Sequence, residues 1–505
     1  MNEKNGFLGQ IDKSVFWISA VIAVIFVLWA VVFPEGAGAS FGAVQGFLTK
    51  SFGWSYLMVV AAFLVFCIWI AFSRYGSIRL GKDDEKPEFS TLSWFAMLFS
   101  AGMGIGLVFW SIAEPMYHYG SPPFGEASSI ESAGIAMRYV FFHWGLHPWA
   151  TFALGGLILA YWQFRKGKPA LFSSTFTPLL GEDAPSTIWG KVIDILAVFA
   201  TLFGVATSLG LGAQQINSGL AFNFNIPNTT TTTLIVIAVI TVLFIISAVT
   251  GIKRGIQTLS NINIYLASFL MLFILFTGPT KFILDLFSSS LGEYLQNIVR
   301  TSFWTDAFNT SEGWVGGWTI FYWAWWIAWV PFVGGFIARI SRGRTIKEFM
   351  IGVLVAPTVV SFIWLTIFGG TAINIEMFGA GGIAEAVSAD MSTALFVTVD
   401  HLPLAGLISV LAIIMIATFF ITSADSATFV MGEFTSGGSL EPTSGLKIVW
   451  GLIEGAVAGV LLYVGGLSAL QTASIASAFP FMIVMILATY ALLKALRAEV
   501  QSTEG

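Results

Sequence analysis

The densest chemistry in the chain is aromatic. The run Phe321-Tyr322-Trp323-Ala324-Trp325-Trp326-Ile327-Ala328-Trp329 places four tryptophans in nine residues of an apolar stretch. On a helix, Tyr322, Trp325, Trp326 and Trp329 fall at i, i+3, i+4 and i+7, one face of two turns. Converging ring faces suit a quaternary ammonium group, which has no N–H to donate and must be held through its diffuse charge and methyl surface. Packing alone is the competing reading: rings at helical spacing also fill a core, and a lone tryptophan near a membrane helix end is usually an interface anchor.

Three further constellations carry polar chemistry. His143-Trp144-Gly145-Leu146-His147-Pro148-Trp149 adds two tryptophans and a histidine pair at i, i+4. The pair reads as metal ligands, as a proton relay or as structural hydrogen-bonding groups. A catalytic metal normally takes a third ligand, and no HExxH set is present, so the structural reading is favoured. Gly102-Met103-Gly104-Ile105-Gly106 interrupts another apolar run, where alternating glycines unwind a helix. A nucleotide loop needs a strand and a soluble helix start, which this context lacks. Unwound backbone inside a membrane is tolerated only where it is buried in protein or lines a cavity. Thr422-Ser423-Ala424-Asp425-Ser426 follows Phe419-Phe420 as a polar island whose hydroxyls and freed carbonyls are hard oxygen ligands for an alkali cation. Back-bonding to the preceding turn accounts for the hydroxyls. It does not account for Asp425, since an aspartate at a membrane helix centre costs about 2.5–3.5 kcal/mol and marks an ion path or buried pair. Glu114 and Glu454 read the same way, although Glu114 also fits the external end of its segment.

These residues must be positioned by membrane helices. The 505 residues are 56% hydrophobic and only 10% charged, against roughly 25% charged in soluble domains. The chain reads as an all-α polytopic membrane protein. Cys67 is the single cysteine, which excludes an intrachain disulfide or a thiolate metal cluster. There is no nucleic-acid footprint. Apolar stretches of membrane length predict twelve spans, near 15–33, 54–73, 92–112, 137–163, 190–219, 233–251, 257–279, 317–338, 348–370, 403–430, 446–465 and 468–493. The first is too long for a signal-peptide core and reads as a retained helix. Of the 23 lysines and arginines, 19 fall on the side of the termini, which the positive-inside rule assigns to the cytoplasm.

The third and eighth spans, the two most strongly marked, are five apart and so run in opposite directions. That is the arithmetic of an inverted repeat, spans 3–7 against 8–12, with a midplane site between the first helices of the halves. The expected organisation is a cytoplasmic N-terminus (1–14), two additional helices (15–91), a first repeat (92–280) and an external interfacial segment (281–316). A second repeat (317–493) and a short cytoplasmic tail (494–505) follow. Segment 380–402 is also expected to carry short interfacial helices.

Together, Gly102 to Gly106, Trp318 to Trp326 and Thr422 to Ser426 resemble the betaine/choline/carnitine transporter family. The resemblance extends through Gly210-Leu211-Gly212-Ala213-Gln214-Gln215-Ile216 and Phe368-Gly369-Gly370-Thr371-Ala372. It implies a LeuT-like 5+5 inverted repeat with two extra N-terminal helices, a homotrimer, and import of trimethylammonium-type compatible solutes. Carried over, Trp144, Trp149, Trp325, Trp326 and Trp329 form the aromatic box, with Trp323 on the cytoplasmic access route and Phe332 closing the lower end. The glycine backbone at Gly102, Gly104 and Gly106 receives the substrate carboxylate. Ser100, Met103, the Phe419 carbonyl, Thr422 and Ser423 hold sodium as the coupling ion, with no other cofactor. Gly106, where proton-coupled choline importers carry aspartate, and Ile264, where sodium-independent exchangers carry arginine, both favour a cation gradient. Phe152 and Val205 replace hydroxyl-bearing residues of well-matched sodium-coupled members, so a second coupling site would rest on Thr201, Ser208 or Asp425. The resemblance also includes a long charged tail linked to osmotic activation in some members, which has no counterpart here.

The expected activity is sodium-coupled import of a zwitterionic quaternary ammonium solute, glycine betaine first, across the plasma membrane. The rivals are a proton-coupled choline importer, a carnitine exchanger, and carriers of dimethylsulfonium or ectoine solutes. An enzyme acting on head groups lacks a nucleophile with its base, and a sensor lacks a signalling domain.

Overall fold

The computed structural model describes residues 11–102, 104–250 and 253–504. Among the described residues the regular structure is helical, joined by loops, with a single isolated β-bridge between Arg79 and Thr345. In chain order the main helices are α1 (Lys13–Val32), α2 (Pro34–Phe72), α3 (Thr91–Gly102), α4 (Ile105–Gly120), α5 (Ile130–Trp144) and α6 (Leu146–Ala160). They continue as α7 (Ile188–Phe224), α8 (Thr230–Thr250), α9 (Lys253–Thr277), α10 (Thr280–Ser302) and α11 (Phe321–Ile340). The last are α12 (Ile346–Phe378), α13 (Ile383–Ala389), α14 (Ala394–Asp400), α15 (Ala405–Thr435) and α16 (Ser444–Glu504).

Among the described residues, nine helices are long and apolar enough to cross a membrane. Three departures from the twelve expected spans explain the difference. The third span is broken at Gly104, whose backbone is extended, into α3 and α4. The fourth, expected as one helix, is broken at Gly145 into α5 and α6. Pro148 has no N–H to give the preceding turn, and its ring crowds the carbonyl four residues back. A side chain at position 145 would also strike the Phe362 ring, 2.8 Å from an ideal Cβ. The eleventh and twelfth spans form one assigned helix whose two legs meet at non-helical Gly465 and Gly466. A further correction concerns α2: residues 34–53, expected as a connection, are helical from Pro34 onward.

The outer helices show which faces meet lipid. Val21, Ile25, Leu28 and Val32 on α1, and Ile235, Val239, Val242 and Ile246 on α8, are exposed at i, i+4, i+7 and i+11. Such apolar stripes are stable only against hydrocarbon or another apolar surface. By contrast α11 is central, with every residue from Phe321 to Pro331 buried. The charged loops converge at one end of the bundle. Arg165 bonds Glu499 at 2.8 Å and Asp83 at 2.5 Å, Arg342 bonds Glu85 at 2.5 Å, and Lys191 pairs with Asp12.

Candidate functional site

The site is built on α11 and on the two broken spans that flank it. Trp325 and Trp326 stack with ring centroids 4.8 Å apart and planes 18° from parallel. Trp144, from the end of α5, meets Trp326 edge-on at 4.9 Å, and Trp329 meets Trp325 edge-on at 6.1 Å. Trp149 stands apart from this group: its ring contacts Phe152 at 5.7 Å, and Phe152 in turn contacts Trp326 at 5.8 Å. Trp323 is on the other side of α11, 1% exposed and stacked on His147 at 5.4 Å. One residue on from Tyr322, its ring points about 100° round the helix from that residue, toward His147 of α6.

The indole N–H groups of Trp144, Trp325, Trp326 and Trp329 are each taken by the protein. Trp325 and Trp329 both donate to the Gly204 carbonyl, at 3.2 and 2.8 Å. Trp326 donates to the His143 carbonyl at 3.0 Å, and Trp144 to Glu114 Oε2 at 2.8 Å. Only ring faces and edges remain for a ligand, which is the requirement for a cation without N–H groups.

Glu114 is the hub behind the box. Fully buried, it accepts from Tyr322 at 2.5 Å and Trp144 through Oε2, and from His143 Nδ1 at 2.7 Å and His118 Nε2 at 3.3 Å through Oε1. His143 Nε2 lies 2.9 Å from the Thr319 hydroxyl, a group able to donate or accept, so both ring nitrogens are hydrogen-bonded. Glu114, His118 and His143 could be taken for a metal set. Ligands at about 2.0–2.1 Å around a tetrahedral ion lie about 3.3 Å apart, and the 2.7 Å contact fits a direct hydrogen bond instead. His147 belongs to a different neighbourhood, donating from Nε2 to Ser302 Oγ at 2.8 Å.

A cavity of about 150 Å³ lies beside the box, lined by Gly104, Asn263, Trp329, Phe332, Phe419, Thr422 and Ser423 among others. It therefore gathers backbone of the broken third span with the expected cation ligands of α15. The Thr422 hydroxyl lies 3.1 Å from the Thr418 carbonyl and 3.2 Å from that of Phe419, and accepts from Asn263 Nδ2 at 3.2 Å. Met103 and the side chain of Ser100 lie outside the described residues; Gly102 ends α3. Gly106 lets Trp325 come close, since an ideal Cβ there would sit 2.3 Å from the ring.

A second, larger cavity of about 590 Å³ is lined by Phe332, Arg339, Asp425, Ser426, Glu433 and Lys447, among others. Phe332 borders both cavities, and its ring meets Trp329 at 5.6 Å. Asp425 thus faces the larger cavity rather than the ring cluster. Thr201 and Ser208 lie on α7 either side of Gly204 and are buried. Thr201 donates back to the Ala197 carbonyl at 2.9 Å, while the Ser208 hydroxyl has no partner among the described residues.

The betaine/carnitine/choline family transporter model matches residues 14–501 of this chain. The chain belongs to the betaine/carnitine/choline transporter family. A protein of Desulfitobacterium hafniense strain Y51, named as a probable glycine betaine transporter, is 53% identical over 97% of this chain and 98% of its own. The glycine betaine transporter OpuD of Bacillus subtilis strain 168 is 53% identical over 96% and 95%. An ectoine/hydroxyectoine transporter of Virgibacillus pantothenticus is 46% identical over 94% and 95%. As a betaine/carnitine/choline transporter the chain is a multi-pass membrane protein, and membership points to transport rather than catalysis.

Sequence reasoning missed three contributors to the site. The Gly204 carbonyl leaves no mark in a sequence, because every residue supplies one. Asn263 was legible as an amide in an apolar helix. His118, four residues after Glu114, was visible as an i, i+4 partner.

Proposed function

We propose that this transporter imports a zwitterionic quaternary ammonium solute, glycine betaine first, in symport with sodium and by alternating access. The observation that carries the reading is the indole cluster with all four N–H groups committed to protein acceptors, leaving π surface beside a cavity. The trimethylammonium group sits against Trp329, with Trp325, Trp326 and Trp144 parting from their mutual contacts to enclose it. Each well-placed desolvated ring supplies about 2 kcal/mol. The substrate carboxylate meets the backbone N–H groups at the start of α4, where no side chain among the described residues caps the helix and a helix N-terminus favours negative charge.

Sodium is a second substrate in this reading. The hydroxyls of Thr422 and Ser423 and the Phe419 carbonyl are hard oxygen donors of the kind an alkali cation takes, and they share the cavity with Gly104. Each net positive charge moved inward gains about 2.3 kcal/mol per 100 mV of membrane potential. The proposal includes twelve crossings in a LeuT-like 5+5 inverted repeat after two extra helices, with both termini cytoplasmic in the plasma membrane, and a homotrimer. Breaks at Gly104 and Gly145 and the joint at Gly465 and Gly466 support that count.

A second reading takes ectoine-type solutes, favoured by the 46% identity to the Virgibacillus carrier. Uptake of labelled glycine betaine into proteoliposomes under an inward sodium gradient, with potassium and proton gradients as controls and ectoine as competitor, tests both. Accumulation driven by protons alone would overturn sodium symport.

A further inference from the structure

The face of α11 that carries Trp325 and Trp329 continues past them. Between Pro331 and Ile340 every residue is buried except Phe332, Gly335, Phe336 and Arg339. These four fall at i, i+3, i+4 and i+7, one face of two turns, and all line the 590 Å³ cavity. Two aromatic rings therefore lead from Trp329 to a guanidinium group. Across the cavity α15 presents Ser426, Phe429, Val430 and Glu433 at the same spacing.

The cations at this end have donors to spare. Arg339 lies 3.9 Å from Glu433, its nearest carboxylate among the described residues, which is too long for a hydrogen bond. Its Cζ is 5.3 Å from the centre of the Phe429 ring, and Lys447 Nζ is 5.6 Å from the same centre. Among the described residues Lys447 makes one hydrogen bond, to the Ala248 carbonyl at 3.1 Å, of the three an ammonium group can donate. Cationic donors from α11 and α16 thus converge on one ring of α15.

Charge and shape together select a ligand class. A simple anion at Arg339 and Lys447 would also meet the carboxylates of Glu433 and Asp425, which line the same cavity. A simple cation would meet Arg339 and Lys447. A molecule carrying both charges is matched on both counts, and the rings of Phe332 and Phe336 suit a cationic head without N–H groups. The volume fits as well. Small-molecule sites span about 300–1,000 Å³, a range that holds the larger cavity at about 590 Å³ and excludes the one beside Trp329 at about 150 Å³.

We propose that the larger cavity is a second binding site for the transported zwitterion, with its carboxylate held by Arg339 and Lys447 and its quaternary ammonium head against Phe332 and Phe336. The solute class rests on the reading of the indole box, while the placement rests on this cavity alone. Phe332 borders both cavities, so solute leaving Trp329 reaches Arg339 past a single ring. Arg339 lies one residue before the end of α11, and Arg342 just beyond bonds Glu85 among the charged loops. The second site therefore stands at the charged end of the bundle, the cytoplasmic end in the proposed topology, where solute already imported also reaches it.

Equilibrium binding of labelled glycine betaine to the purified full chain reads the two sites separately. A tighter and a weaker component are expected in the parent. Arg339→Gln and Phe336→Leu should each weaken the second component by roughly ten-fold and leave the first unchanged, which also reports that the variants are folded. Trp329→Leu should do the reverse. Choline, which has the ammonium head without the carboxylate, should compete for the second site equally in the parent and in Arg339→Gln. A single component that responds to Trp329→Leu and to neither cavity variant overturns the proposal, leaves the box reading standing and makes the cavity a water-filled passage. Binding that responds to the cavity variants alone keeps the proposal and overturns the box. No binding of glycine betaine at all overturns both.

Discussion

Trp144 donates its indole proton to Glu114 Oε2 at 2.8 Å, and Tyr322 donates to the same oxygen at 2.5 Å. One carboxylate oxygen therefore fixes the tryptophan of α5 and the tyrosine that begins the aromatic face of α11. Glu114→Gln keeps the shape but brings an amide NH2 to a shell of donors. With hydrogen bonds to charged groups worth about 1.5–3 kcal/mol, KM for the solute is expected to rise at least roughly ten-fold. Uptake kinetics on a variant with unchanged expression and oligomeric profile check this; an unchanged KM would remove Glu114 from the account of the box.

Gly106 and Gly104 make a paired test. A methyl group at 106 would lie 2.3 Å from the Trp325 ring, whereas an ideal Cβ at 104 meets nothing within 4 Å among the described residues. Gly104 has an extended backbone that any residue adopts. Gly106→Ala is expected to displace Trp325 and cut substrate affinity by roughly ten-fold or more, at an overpacking cost of about 1–3 kcal/mol. Gly104→Ala should fold normally and lose less. Equal effects in tryptophan-fluorescence titrations would mean that backbone at the break, not ring approach, dominates.

Trp329 is the box member that faces the smaller cavity. Its replacement separates ring from hydrogen bond. Trp329→Leu removes a cation–π partner worth about 2 kcal/mol and should weaken binding roughly thirty-fold. Trp329→Phe keeps a π face while losing the proton given to Gly204, so an intermediate loss is expected. If Phe and Leu bind the solute equally, the ring acts by bulk alone.

The box face of α11 was legible because helical period is a local property, and four aromatic residues at that period have one side to point to. The break at Gly104 was legible for the same reason, since alternating glycines weaken a helix wherever they occur. The break at Gly145 was not: Pro148 permits either a kink or a full interruption, and the Phe362 ring pressed against position 145 decides between them. Glu114 was ambiguous because its depth depends on where α4 ends, and α4 runs to Gly120 rather than to 112. Trp323 is off the box face by its spacing, about 100° round α11 from Tyr322, and its ring stacks on His147.

At the charged end of the bundle, Glu499 accepts from Lys166 at 2.6 Å, Tyr161 at 2.7 Å and Arg165 at 2.8 Å. Partial burial opposes its ionisation, but these hydrogen bonds and the Lys166 charge outweigh that and hold its pKa below the ordinary value. A depressed carboxylate stabilises the fold above its unfolded pKa of about 4.3, and the contribution fades as pH falls through the lower folded value. Glu499→Gln should lower the thermal midpoint at neutral pH, by less than about 1 kcal/mol of stability given solvent screening. The gap to the parent should close below pH about 4; a gap that widens there would reverse the sign.

Thr422 and Ser423 bear the coupling reading, and their environments differ. Thr422 is already engaged, with carbonyls of its own helix within 3.1 and 3.2 Å and the Asn263 amide donating to it at 3.2 Å. Its oxygen can serve a cation only if Asn263 withdraws or points elsewhere, because an amide N–H and a cation compete for the same lone pairs. Asn263→Ala should then strengthen sodium activation of uptake, whereas Thr422→Ala and Ser423→Ala should each weaken it by roughly ten-fold, the worth of about 1.4 kcal/mol. Sodium-titrated uptake at saturating glycine betaine reads all three. If Asn263→Ala weakens sodium activation as much as Thr422→Ala does, the amide belongs to the cation site as a positioning group rather than as a competitor. If none of the three shifts the sodium dependence, the coupling ion binds elsewhere.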